Sequence, residues 1–222
     1  VSGFSVEGRQ FELGRKRPAF QRLGKRAFDI VAALAGLIFL SPVMITLALL
    51  VRAQDGGPAL FSHSRIGKNG KTFQCYKFRS MVIDAQQRLE TLLANDPEAA
   101  AEWARDQKLR NDPRVTALGR FIRKTSLDEL PQLINILKGD MSVVGPRPII
   151  TDEMVRYGQH IEDYLSVTPG VTGPWQVSGR NDVSYDERVQ MDAQYARNWT
   201  VAGDIWITLK TVPAVLLSRG AS

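Results

Sequence analysis

The sequence predicts an α/β, mostly helical protein held at a membrane, and three observations carry that reading. Residues 30–51 form an uncharged run, IVAALAGLIFLSPVMITLALLV. Seven basic residues (Arg9, Arg15, Lys16, Arg17, Arg22, Lys25, Arg26) stand against Glu7 and Glu12 in the first 26 positions, so +5 of the chain's net +6 lies just ahead of that run. Beyond Arg52, short β-type runs alternate with stretches of helical periodicity, the pattern of a soluble α/β domain. The chain therefore divides into a basic arm (1–22), a membrane helix (23–52) and a catalytic domain (53–222) with a helical insertion at 82–110.

The arm has no apolar core segment, so residues 1–20 are not read as a signal peptide. Its position ahead of an apolar run suits attraction to anionic membrane lipid; a nucleic-acid binder would spread its charge over the folded domain. As a straight helix, residues 30–51 reach about 33 Å, enough to cross a hydrocarbon core. Ser41-Pro42 falls at the midpoint, where proline removes a backbone donor and predicts a kink. Arg22, Lys25 and Arg26 precede the run and Arg52 follows it, which favours both ends on the cytoplasmic side. Length alone fits a spanning helix, whereas the proline and the flanking charges fit a re-entrant helix-break-helix; composition leaves both open.

After the run, DGGP (55–58) reads as a turn, residues 59–65 and 72–79 as strands, and GKNGK (67–71) as the hairpin turn between them. The Ala-rich, charged stretch 82–110 predicts helix, broken near Asn95-Asp96-Pro97. Further helices are expected over 116–124, 127–138, 151–165 and 184–198. Loops are expected at 139–148 and 168–175, and an apolar segment, 201–218, suits an interfacial amphipathic helix or packing against the domain. The single cysteine, Cys75, excludes an internal disulfide and reads as packing in FQCYKF; His63 and His160 are isolated and read as structural. With no GxGxxG and no GxxxxGK[ST], a dinucleotide or ordinary ATP site is unsupported.

The chemistry concentrates at Lys124-Thr-Ser-Leu-Asp-Glu-Leu-Pro-Gln132. Leu127, Leu130, Leu133, Ile134 and Leu137 make one apolar face, and Asp128, Gln132 and Asn135 recur on the other. Ser126 with Glu129 also fits a capping box, which needs no function. Yet the adjacent acids stand near Arg120, Arg123 and Lys124 in sequence, Arg147 follows between prolines in GPRP, and Arg65, Lys77 and Arg79 lie on or beside the hairpin. A diphosphate substrate needs this mixture: guanidinium forks bind phosphate oxygens, one acid can hold Mg2+, and its neighbour can attack phosphorus.

Taken together, KRAFDIVAA, the mid-helix Ser41-Pro42, RIGKNGKTFQCYKFRSM, DPRVTALGRFIRKTSLDELPQLINILKGDMSVVGPRP and PGVTGPWQVSGRNDVSYDERVQMDAQYARNW give the chain its family likeness. It resembles the bacterial sugar transferase family, the monotopic polyprenyl-phosphate phosphoglycosyl transferases that start exopolysaccharide and O-antigen synthesis. The resemblance implies that Asp128 attacks the β-phosphate of a UDP-hexose, releasing UMP, and that undecaprenyl phosphate takes the sugar phosphate in a second displacement. It further implies Mg2+ on Glu129, phosphate binding by Arg123 and Arg147, and a substrate role for Lys77 and Arg79 of the KFR motif. The helix would be re-entrant, broken at Ser41-Pro42, on the cytoplasmic face of a bacterial inner membrane, and a homodimer is compatible with the family. The 82–110 insertion, the GRND segment (179–182) and the SRG ending look most like hexose-transferring members of the galactose-phosphate type, with glucose the alternative. Two other readings remain: a membrane-anchored interaction module, which has no use for an acid dyad among arginines, and a hydrolase that transfers to water.

Overall fold

The uncharged run lies within one α-helix, α1 (Ala19–Asp55), which starts after Pro18 and ends at Gly56, whose positive φ of 74° lets its N–H reach the Arg52 carbonyl. The computed structural model describes residues 4–6, 9–11, 17–106, 109–178 and 183–216. In the arm, β1 (Phe4–Val6) and β2 (Arg9–Phe11) pair antiparallel. By length and composition α1 could cross a membrane. The helix runs on through Ser41-Pro42, with Pro42 inside it. Pro42 offers no N–H to the Ile38 carbonyl, and the Ser41 hydroxyl donates to that carbonyl instead at 2.8 Å.

Both ends of α1 pack on the same domain, while the middle stays open. Lys25, Asp29 and Ala33 are buried at one end and Leu47 and Val51 at the other; between them Ile38, Phe39 and Val43 are exposed. Lys25 and Asp29 are fixed by buried polar contacts. Lys25 Nζ meets Asp204 Oδ2 at 2.6 Å and the Val144 carbonyl at 2.9 Å; Asp29 Oδ1 accepts from Ser142 Oγ at 2.8 Å and from the Val143 N–H at 2.9 Å. Arg26 donates to the Ile136 and Leu137 carbonyls. At the other end Leu47 joins Phe78 and Ile122 in an apolar cluster.

The hairpin forms as expected: β3 (Leu60–Ile66) pairs antiparallel with β4 (Thr72–Phe78), from Leu60 opposite Phe78 to Ile66 opposite Thr72. Its turn uses positive φ at Asn69 and Gly70, the residue types that tolerate it. The insertion folds as α2 (Ala85–Asn95) and α3 (Pro97–Asp106), separated at Asp96, whose Oδ1 accepts from the Glu98 and Ala99 N–H groups. Next, α4 (Ala117–Lys124) is capped by Thr116, whose Oγ1 accepts from the Gly119 N–H at 2.9 Å.

Three expectations are corrected. The helix expected over 127–138 splits into a 3-10 turn (Leu127–Glu129) and α5 (Gln132–Lys138), and the Ser126 capping box does not form. Ser126 adopts the left-handed region at φ 56°, which swings the chain off α4 and leaves Pro131 to open α5. The two expected loops contain β5 (Ser142–Val144) and β6 (Gly170–Thr172), paired in parallel. Here the backbones nearly touch: a Cβ on Gly170 would stand 2.1 Å from the Gly145 nitrogen, so only glycine fits. The helix expected over 151–165 is interrupted at Gly158 (φ 48°) and becomes two 3-10 turns, α6 (Met154–Tyr157) and α7 (Ile161–Ser166).

Helix α8 (Pro174–Ser178) follows β6, and the GRND segment after it lies outside the described residues. Helix α9 (Tyr185–Asn198) begins with a reciprocal capping box between Ser184 and Glu187. Helix α10 (Val201–Leu216) exposes Ile205, Trp206 and Leu209, with Lys210 Nζ 3.7 Å from the Trp206 ring centroid; the SRG ending lies outside the described residues. The main core gathers Ile66, Ile149, Tyr157, Tyr164, Leu165 and Val189 between the hairpin, α7 and α9.

Candidate active site

A cleft of about 1130 Å³ opens between the hairpin, the 3-10 turn and the β5–β6 region; Arg65, Lys77, Arg79, Arg123, Asp128, Glu129 and Arg147 all line it, whereas Arg120 and Lys124 do not. The left-handed Ser126 puts Asp128 and Glu129 on its wall rather than on a continuous helix face. Asp128 is buried to 7% exposure. Lys77, on β4, reaches Glu129 Oε1 at 2.7 Å and stands 3.6 Å from Asp128 Oδ2. Burial pushes the Asp128 carboxyl above the ordinary range, and Lys77 and Arg123 counter it. Burial alone would lower Lys77; Glu129 and Asp128 outweigh it and raise the ammonium instead.

The four arginines divide by what their donors do. Arg123 Nε donates to Ser80 Oγ at 2.8 Å, an anchoring contact absent from the sequence reading although Ser80 directly follows the KFR motif. Arg147 is exposed at the rim and bonds to no described residue. Arg65 lies beside it, 3.7 Å from Glu153 Oε2; burial, and then the Arg147 charge, lower its pKa. Arg79 differs. Its guanidinium grips Asp55 with two 2.6 Å contacts and donates to the Pro58, Met81 and Val51 carbonyls. That accounts for all five of its N–H donors, so it braces the end of α1 and has none left for a phosphate.

His63 and Cys75 also border the cleft. Burial, then Arg65 and Lys77, hold His63 below the usual histidine value, and burial pushes the Cys75 thiol up. Neither state makes an activated nucleophile. The cleft also has a neutral, polar lining: Gln132, Thr172, Thr211 and Gln176, with the Trp175 indole. Periodicity had placed Gln132 on the Asp128 face, but Thr172 and Thr211, whose hydroxyls meet at 2.7 Å, are joined only by folding.

Among the described residues there is no cluster of three or more His, Cys, Asp or Glu side chains able to cage a metal. Two adjacent carboxylates with a cationic group on one of them still suit Mg2+, which takes one or two protein acids and fills its shell with water and substrate phosphate. The cleft thus brings together a buried carboxylate, a second acid beside it, a lysine against both and guanidinium groups around them.

A family model described as bacterial sugar transferase matches residues 20–218. The chain is 60% identical to the undecaprenyl-phosphate galactose phosphotransferase of Salmonella typhimurium over 90% of its own length and 42% of that protein. It is 49% identical to the exopolysaccharide production protein ExoY of Rhizobium meliloti, covering 95% of the chain and 92% of the relative. It is 42% identical to the UDP-glucose:undecaprenyl-phosphate glucose-1-phosphate transferase of Escherichia coli, over 90% of the chain and 42% of that protein. The chain thus spans under half the length of some of these relatives and nearly the whole of ExoY.

Proposed function

The chain belongs to the bacterial sugar transferase family, and from that premise we propose that it transfers hexose 1-phosphate from a UDP-hexose to undecaprenyl phosphate, with release of UMP, as the first step of exopolysaccharide or O-antigen assembly. The observation that carries the reading is the Asp128–Glu129 pair on a cleft wall, with Lys77 against both acids and Arg123 and Arg147 lining the same space. An Asp128 carboxylate oxygen attacks the β-phosphorus, and the bond from that phosphorus to the oxygen bridging to the α-phosphate breaks. UMP leaves, and the sugar phosphate stays on Asp128 as an acyl phosphate. An oxygen of undecaprenyl phosphate then attacks the same phosphorus and frees the carboxylate.

Glu129 would hold Mg2+, which when bound neutralises charge on the diphosphate. Arg123, through its two terminal nitrogens, and Arg147 take the phosphate oxygens; Arg65 supplements Arg147; Lys77 offsets the negative charge of the two acids. Burial of Asp128 weakens its hydration, which favours attack on phosphorus. Among hexoses, galactose ranks before glucose, supported by the greater likeness to the galactose-phosphate relative.

The proposed topology is re-entrant, with both ends of α1 at the cytoplasmic face of a bacterial inner membrane. It is supported by the buried contacts that tie Lys25 and Val51, near opposite ends of α1, to one domain. A helix that crossed the bilayer would carry one end away from that domain. The exposed Ile38-Phe39 midpoint then faces the hydrocarbon.

The test uses protein in detergent or native lipid with Mg2+, undecaprenyl phosphate and a panel of UDP-sugars, reading UMP release. Asp128→Asn should abolish release, and wild-type protein denied the acceptor should retain labelled sugar phosphate after rapid quench. Turnover without trapped label would mean direct attack by the lipid phosphate; full-rate UMP release without acceptor would mean hydrolysis.

A further inference from the structure

Gln132 is a polar side chain on the cleft that neither the fold nor the proposed chemistry employs. It is 3% exposed and lines the cleft, and among the described residues its side-chain amide makes no hydrogen bond or ion pair. Its neighbour on the same helix, Asn135, shows the ordinary structural case: the amide oxygen accepts from the Tyr76 N–H at 3.0 Å and the nitrogen donates to the Gln74 carbonyl at 2.7 Å. The Gln132 amide atoms are not among the fully enclosed unpaired polar atoms, so they face the open space of the cleft, where a ligand can meet them. Gln132 also stands four residues after Asp128, in the same cleft.

What surrounds it narrows the ligand. Lys77, Arg123, Arg65 and Arg147 supply the charge for phosphates, whereas Thr172, Thr211, Trp175 and Gln132 add uncharged donors, acceptors and an aromatic face. Neutral hydrogen-bonding groups beside an indole suit the hydroxyls and apolar faces of a sugar ring. Resting on the phosphoglycosyl transfer reading, we infer that Gln132 is a sugar-contacting, specificity-determining residue whose amide hydrogen-bonds a hydroxyl of the transferred hexose. The ring would lie against this neutral wall, with its anomeric phosphate toward Asp128.

The experiment pairs Gln132→Met, which keeps the volume and removes the amide, with UDP-hexoses lacking one ring hydroxyl each, reading kcat/KM for UMP release in the full chain in lipid. In wild type, removal of the contacted hydroxyl should lower kcat/KM roughly 10- to 100-fold. In Gln132→Met that same loss should shrink to less than about threefold, with the penalties at the other positions unchanged. Thermal unfolding of Gln132→Met should stay close to the wild-type temperature, because the amide bonds to no described residue. An identical pattern of deoxy-sugar penalties in both proteins overturns the inference, as does a uniform drop across all analogues, which would put the amide on phosphate. A lowered melting temperature would make Gln132 structural and overturn it too. If the variant turns over too slowly to assay, calorimetry replaces kinetics: the preference for UDP-hexose over UDP should fall while UDP affinity holds, and an unchanged preference overturns the inference. Wild type that releases no UMP from any UDP-sugar sinks the transferase reading itself; active wild type with unaltered discrimination sinks only the role of Gln132.

Discussion

Two lysine–carboxylate clusters in this molecule pair the same groups in different settings. At the α1 clamp, Lys25 is held by Asp204, the Val144 carbonyl and the Tyr195 hydroxyl, and Asp204 accepts from both Lys25 and Tyr195. At the cleft, Lys77 faces two acids, and its side chain and that of Glu129 keep 31% and 35% of their surface open. Burial pushes both Asp204 and Asp128 up, against the pull of their lysines. The difference is exposure. A buried ion pair closed off from solvent is a fastening; the pair at the cleft keeps part of its surface open to a ligand.

That contrast can be broken by substitution. Asp128→Asn should carry the largest effect, a loss of turnover of about 10^4-fold or more, with thermal stability kept or improved because a buried charge is gone. Lys25→Met should do the reverse: removing one partner of the clamp destabilises by about 3–5 kcal/mol, read as a lowered unfolding midpoint. What remains folded should turn over at the wild-type kcat. If Lys25→Met instead lost turnover at full stability, the clamp would be part of the site.

The arginines sharpen the same point at smaller scale. Arg147→Ala, at the cleft rim, should lower kcat/KM about 10^2- to 10^3-fold with little change in stability. Arg79→Lys, whose five donors are committed, should lower stability by about 1–3 kcal/mol and leave KM for the UDP-sugar unchanged. The smallest effect concerns Asp192, a buried residue of α9 that accepts from the Tyr157 hydroxyl; burial raises its pKa to about 7. A carboxyl raised in the folded state binds more protons there than in the unfolded chain, so its contribution to stability falls as pH rises from about 4 to about 7. Asp192→Asn should therefore melt a few degrees above wild type at pH 8, and the gap should close near pH 4. A gap that is the same at both pH values would place its cause outside titration.

Much of this was legible in the residues. The hairpin followed from GKNGK between two β-type runs, and the acid dyad with its arginines from KTSLDELPQ and GPRP. Helical periodicity put Asp128, Gln132 and Asn135 together, and all three are buried. What stayed hidden is non-local or depends on one dihedral. A left-handed serine at 126 cannot be told from a capping serine by its neighbours, and it decides that 127–138 is two elements. Strands β5 and β6 are three residues each, in Gly- and Pro-rich surroundings, and pair across some 28 positions. Arg79 reads as a phosphate binder beside Lys77 until Asp55, 24 residues away, is seen to occupy it.

The fastening of α1 has a practical corollary. Cutting the chain after Asp55 to obtain a soluble enzyme would leave Asp204, Tyr195 and Ser142 facing water or each other, and would uncover the apolar patch around Phe78 and Ile122. The helix is less a tether tied to a finished catalyst than one of its walls. Detergent or lipid is then a folding ingredient for this protein, and screens for soluble fragments should start from pieces that retain residues 19–55.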